Sequence, residues 1–227
     1  MIKSLTALPD VFGTNPESVK FLGNYDVYKN SAKFYTDLKG SFALCILDLN
    51  AVICGKPENF EELNAFLKMS DVKSVFLNSD NLKELEFKNA KIVSVYEKSA
   101  VLSANFESGE FKSDEVYDML LKGGFSLPEF EYFAVDFCRR VNFKNAFVFG
   151  KKNEFLSLGL KHENVCLVNG VVSFKKGGGR KALMGLEAVS GCEKILACCT
   201  EENEGFYEKH LEDGTCDGSD GRTADRL

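Results

Sequence analysis

The sequence predicts an α/β protein made of two similar halves, each a mixed, strongly twisted sheet flanked by helices. Three observations point there. Short apolar runs bounded by turn residues alternate with stretches of helical period. The order of these elements in the second half repeats that of the first. The two halves also match residue by residue at an offset of about 120, as an old duplication would leave them: Leu49-Asn50-Ala51-Val52-Ile53 resembles Val168-Asn169-Gly170-Val171-Val172, and Leu63 with Val75 matches Leu183 with Ile195.

In chain order, Pro9, Gly13, Pro16 and Gly23 break any period before about Lys33, so this stretch is given no element. Ser41 to Asp48 and Ala51 to Gly55 are apolar runs too short for a helix and read as strands. Asn59 suits a helix N-cap ahead of Phe60, Leu63, Phe66 and Leu67, which recur at helical spacing. Ser74 to Leu77 reads as a buried strand. Asp80 can cap a short helix carrying Leu82, Leu85 and Phe87, and Ala90 to Tyr96 is a further strand. The polar residues 99–112 form the best linker, dividing the chain into 1–105 and 106–227.

Beyond it, Ser113 caps a helix with Val116, Met119 and Leu120 inward, ended by Gly123-Gly124. Pro128 opens the clearest amphipathic helix of the chain, whose Phe130, Phe133, Ala134, Phe137, Cys138 and Val141 keep to one stripe. Strands follow at Ala146 to Gly150, Phe155 to Leu160 and Val165 to Phe174. The last contains Asn169-Gly170, a strong hairpin signal. Its counterpart Ala51 resists the positive φ of such a turn, so the repeat favours one unbroken strand. A glycine loop comes next, then a helix with Ala182, Leu183, Leu186 and Val189, a strand Lys194 to Cys199 and a short helix Asn203 to Leu211. The tail from Glu212 to Gly221 has almost nothing to bury and is expected to be mobile.

Composition narrows function. With 44% hydrophobic residues in 227, the chain can bury a sizeable core. A net charge of −6 argues against nucleic acid, whose phosphates need a basic face. No apolar run approaches membrane-spanning length and no leader pattern opens the chain, so no membrane is implied and the cytoplasm is the expected compartment. The eight cysteines lie mostly in apolar runs without a Cys-x-x-Cys pair, and neither His162 nor His210 offers ligand spacing to Cys198-Cys199, so no metal is expected.

The chemistry gathers at Lys175-Lys176-Gly177-Gly178-Gly179-Arg180. Consecutive glycines between a buried strand and a helix start let the backbone approach a ligand and aim amides at it, with the positive helix end behind them. Lys175, Lys176, Arg180 and Lys181 add charge, a combination suited to a pyrophosphate. The loop lacks the Gly-x-x-x-x-Gly-Lys-Ser/Thr of a P-loop and the setting of a dinucleotide fingerprint. In the first half, Gly55-Lys56-Pro57-Glu58 stands in its place; its proline has no N–H and its glutamate repels phosphate.

Here the sequence resembles the GNAT superfamily of acyl-CoA N-acyltransferases. Lys175 to Arg180, followed by Lys181-Ala182-Leu183, falls on that family's Arg/Gln-x-x-Gly-x-Gly/Ala frame, with Lys175 in place of Arg/Gln and Arg180 in place of the last small residue. Asn203-Glu204-Gly205-Phe206-Tyr207-Glu208-Lys209 resembles its Asn…Phe-Tyr-Glu-Lys helix. The resemblance implies a tandem GNAT-like chain: a degenerate first copy, and a second copy that holds acetyl-CoA and transfers its acetyl group to the amine of a small molecule or peptide. Carried over by residue, it implies that backbone at Val171 and Val172 pairs with the pantetheine arm. Lys175, Gly177, Gly178, Gly179, Arg180 and Lys181 would hold the pyrophosphate, Asn203 would lie near the cofactor, and Tyr207 would be the general acid. The general base stays open among Glu163, Glu201 and His162. The family's closing strands are missing after Leu211, which leaves the first repeat or a second chain, as in a homodimer, to supply them. The alternative reading is a catalytically silent CoA-binding or protein-interaction module.

Overall fold

The computed structural model describes residues 1–85, 89–100, 110–211 and 221–225. In chain order the elements are β1 (Lys3–Ser4), α1 (Pro16–Tyr28), β2 (Lys33–Thr36), β3 (Phe42–Leu47), β4 (Asn50–Gly55), α2 (Phe60–Met69), β5 (Ser74–Asn78), a 3₁₀ turn (Ser79–Glu84) and β6 (Asn89–Ser99). They continue with α3 (Ser113–Lys122), α4 (Phe130–Asn142), β7 (Ala146–Lys151), β8 (Phe155–His162), β9 (Val165–Ser173), α5 (Gly178–Ser190), β10 (Lys194–Cys199), a second 3₁₀ turn (Glu201–Asn203), α6 (Glu204–His210) and β11 (Gly221–Asp225).

Two compact units result. The first takes Met1–Tyr96 and Cys198–Tyr207 together with β11; the second takes Glu97–Ala197 and the described residues of Glu208–Thr215. The boundary expected at 105 lies outside the described residues, as does Phe87.

In the first unit β2, β3 and β4 run antiparallel, and α2 then crosses over to bring β5 parallel to β4. The apolar run of β3 is continuous because helices cover both faces. Phe42, Leu44 and Ile46 pack with Leu63 and Leu67 of α2, while Ala43 and Cys45 pack with Phe21 of α1. The second unit repeats this order. β7, β8 and β9 are antiparallel, and α5 crosses over to a parallel β10. Leu156, Leu158 and Val172 pack with Val116, Met119 and Leu120 of α3, whereas Phe149 and Phe155 pack with Ala182 of α5. The repeated order of elements therefore corresponds to a repeated topology. β9 is one strand: Leu158 faces Gly170 and Gly159 faces Val168, so Asn169 is absorbed as a bulge instead of making a turn.

Four local expectations are corrected. The stretch before Lys33 contains α1, with the Asn15 side chain accepting from the Ser18 amide at 2.9 Å and Pro16 in the first turn, where a missing N–H costs nothing. Asn78 and Lys112, each one or two residues ahead of Asp80 and Ser113, hold the cap positions of the first 3₁₀ turn and α3. α4 does not bury its whole apolar stripe. Phe130, Cys138 and Val141 are exposed, and Arg140 turns inward instead, its Nε on Asp136 at 2.9 Å and its Nη1 on the buried Asn145 at 2.9 Å. Asn145 in turn donates to the Lys161 carbonyl at 2.6 Å, so this network fixes the helix face. Finally, residues 221–225 of the tail form β11, antiparallel to both β5 and β6. Backbone bonding lets a polar segment enter a ladder. Residues 212–220 lie outside the described residues.

Candidate functional site

The site in the second unit begins where two parallel strands part. β9 and β10 stay in register from Val165 opposite Lys194 to Val168 opposite Ala197, and no further. Beyond that point β9 keeps its bonds to β8 on one edge, through Val171 with Ser157 and Val172 with Leu156. Its other edge, from Asn169 to Ser173, carries no ladder partner among the described residues, which is a row of amides and carbonyls able to take an extended chain. The side chains of this segment divide by face: Val172 is buried against α3, and Val171 packs towards Phe149 and Phe155.

The strand delivers the chain to the glycine loop. The Lys175 carbonyl accepts from the Gly178 amide at 3.0 Å, which closes a turn, and Gly177 caps α5 with φ 78°, a left-handed conformation that glycine adopts without strain. Gly178 and Gly179 are buried in the first turn of the helix, while Lys175, Lys176, Arg180 and Lys181 are exposed. Of the first-turn amides, that of Gly178 is used by Lys175 and that of Lys181 reaches Gly177 at 3.4 Å. Those of Gly179 and Arg180 have no helical carbonyl within reach and point along the positive end of α5.

Gly178 is there for packing. A Cβ at this position would lie 2.5 Å from the Ser173 Oγ and 3.1 Å from the Phe155 Cβ. Ser157, wholly buried, donates to the Ala182 carbonyl at 2.6 Å and so ties α5 to β8. Sequence reasoning passed over both contacts, since neither a glycine in a loop nor a serine in a strand signals its distant partner.

The charge of the loop is not all available to a ligand. Lys175 pairs with Glu154 at 2.9 Å, and the same carboxylate pairs with Lys151 at 2.8 Å. Lys151 and then Lys175 hold the Glu154 carboxyl below its ordinary range, so it stays ionised beside the loop.

Asn203 and Tyr207 belong to the first unit. Asn203 is exposed at the end of its 3₁₀ turn, its amide donating to the Thr200 carbonyl at 2.9 Å. Tyr207 is buried, stacked on Tyr96 at 6.1 Å with Phe206 edge-on at 5.1 Å. Burial, followed by the neighbouring thiols of Cys199 and Cys198, pushes its hydroxyl up to about 12, so it holds its proton throughout the neutral range. His162 and Glu163 lie at the β8–β9 turn. That is the far end of β9 from the glycine loop, roughly 25 Å away along the strand at 3.3 Å per residue. Glu201 is exposed. Among the described residues there is no group of three or more side chains that could hold a metal, and no helix is long and apolar enough to cross a membrane.

No protein-family model and no curated protein matches this chain in sequence. Solved structures do. A GCN5-related N-acetyltransferase from Kribbella flavida matches with a TM-score of 0.60 over 96% of both chains, at 11% identity. A tandem GNAT protein from the clavulanic acid biosynthesis pathway matches with a TM-score of 0.51, over 94% of this chain and 89% of its own, at 8% identity. The fold is that of the GNAT superfamily. That second protein is by its name a tandem GNAT protein; in this chain one order of strands and helices occurs twice. Within the GNAT fold of the second unit, the parting of β9 from β10 and the cap of α5 follow one another directly in sequence.

Proposed function

We propose that the protein is an acyl-CoA N-acyltransferase whose second unit binds acetyl-CoA. The observation that carries the reading is the continuity of the open β9 edge with the glycine loop. An extended, amide-bearing pantetheine arm suits the backbone of Asn169 to Ser173. Its pyrophosphate end suits the first-turn amides of Gly179 and Arg180, with Lys176, Arg180 and Lys181 supplying countercharge. Lys175 contributes less than its charge suggests, because Glu154 shares it.

The reaction on this reading is direct acyl transfer. The lone pair of a neutral amine attacks the thioester carbonyl, the C–N bond forms, the C–S bond breaks, and the leaving thiolate takes up a proton while the amine loses one. Tyr207 is assigned as the proton donor by the family resemblance alone. The acceptor is an amine of a small molecule or peptide.

Two measurements test the reading. Isothermal titration with CoA and acetyl-CoA should give binding that Arg180→Ala with Lys181→Ala weakens. Thiol release from acetyl-CoA should require an amine from a panel of amino acids, polyamines and peptides. Binding without turnover on any amine would favour a silent CoA-binding module; absence of binding would overturn the proposal.

A further inference from the structure

The first unit has its own parting of parallel strands, with different chemistry around it. β4 and β5 stay in register from Asn50 opposite Ser74 to Val52 opposite Phe76. Past that point a cavity of about 400 Å³ opens, walled by Ile53, Cys54 and Gly55 on one strand and Asn78 on the other. This is within the size range of small-molecule sites. Asn81 braces the mouth by donating to the Gly55 carbonyl at 2.8 Å. Asp80 and Lys56 complete the rim, and the start of α1 closes the remaining side with Asn15 and Glu17.

Glu17 stands in the first turn of α1, where burial outweighs its own amide and Lys20, which both favour the carboxylate. Its residue is 2% exposed, it lines the cavity, and no other residue donates a hydrogen bond to either carboxylate oxygen. Buried carboxylates are ordinarily paired or hydrogen-bonded, because an unmet acceptor keeps its full desolvation cost. Lys20, whose charge favours the ionised carboxyl, sits over the Phe76 ring at 3.8 Å from its centre. The thiol of Cys54 forms apolar wall: burial, followed by the Glu17 charge, raises its pKa well above the ordinary value.

We infer that this cavity binds a small molecule with a cationic nitrogen head, ammonium or guanidinium, seated on the Glu17 carboxylate. The head supplies the N–H donors that Glu17 lacks. The lining itself carries two carboxylates, Glu17 and Asp80, against one cation, Lys56, with Lys20 acting on Glu17 from outside it. The volume admits a short apolar stem against Val11 and Ile53. The inference involves no acyl group and no CoA, so it stands or falls apart from the acetyl-transfer reading.

The test uses the full chain and four probes of one shape: n-butylammonium, n-butylguanidinium, 1-butanol and n-butyrate. Binding is followed by amide shifts of the ¹⁵N-labelled protein. Five-atom to eight-atom probes are expected to bind in the millimolar range. The two cations should shift the amides of Gly55, Asn78 and Asn81 and bind at least about ten-fold tighter than the alcohol or the acid, a difference of about 1.4 kcal/mol. Glu17→Gln should abolish that preference while the rest of its amide spectrum stays in place. Equal binding of all four probes, a preference for butyrate, or cation shifts confined to other residues would overturn the inference. The wild-type preference decides the matter by itself if Glu17→Gln fails to fold.

Discussion

Gly178→Ala separates what the glycine loop does for folding from what it does for a ligand. The added methyl would meet the Ser173 Oγ at 2.5 Å and the Phe155 Cβ at 3.1 Å. The serine can move, but it then gives up its bond to the Lys175 carbonyl at 2.7 Å, worth about 0.5–1.5 kcal/mol. The residual crowding of Phe155 adds part of the usual cost of overpacking, about 1–3 kcal/mol. Better helix propensity of alanine returns a fraction. The net expectation is a loss of about 1–2 kcal/mol, or about 3–6 °C in Tm for a chain of this size. Thermal melts of the wild type, both single variants and Ser173→Ala with Gly178→Ala measure it as a cycle. Once the oxygen is gone only the Phe155 contact remains, so the double variant should lose less than the sum of the two single losses. A Gly178→Ala protein as stable as the wild type, or a double variant whose losses simply add, would refute the packing argument.

Other outcomes follow from the same geometry. Glu154→Gln should tighten CoA binding a few-fold, because it frees Lys175 beside the loop; a titration showing unchanged or weaker binding would count against the loop as the anion site. CoA affinity should fall steeply between low and high ionic strength, since Lys176, Arg180 and Lys181 are exposed and screened by salt; a flat response would sink the role of charge. Tyr207→Phe should lower turnover on an amine while leaving CoA affinity intact, and rates should show no titration of Tyr207 below its pKa of about 12. Arg140→Leu should destabilise by about 1–3 kcal/mol, because it strips the buried Asn145 of the guanidinium its Oδ1 accepts from; urea melts would read the loss. Glu17→Gln should raise Tm at neutral pH. Burial raises the Glu17 pKa, with its own amide and Lys20 pulling the other way. The ionised carboxylate therefore destabilises the fold as pH climbs above the unfolded value, and the gain should vanish near pH 4.5 and below. Lys20, Cys54 and Cys198 are the titratable groups coupled to it, and Lys56 and Asp80 share its cavity.

The sequence by itself determined the order of elements between Ser41 and Leu211, their repetition and the place of the glycine loop, because these rest on local signals: period and turn residues. It also favoured β9 as one strand, since Ala51 in the first copy could not share a turn that Gly170 allowed, and the continuous ladder with β8 agrees. α1 was legible in principle, as Asn15 followed by Pro16 is a helix start, but the same proline read as a breaker. Tertiary structure alone decided the rest. Which face α4 buries depended on Arg140 finding Asn145, a partner beyond the helix whose direction no helical period encodes. That Lys175 is already paired depended on Glu154, brought beside it by the hairpin of β8 and β9. The cavity with Glu17 exists only because β5 parts from β4 under the first turn of α1. Those segments lie far apart in sequence and meet through packing, which no local pattern records.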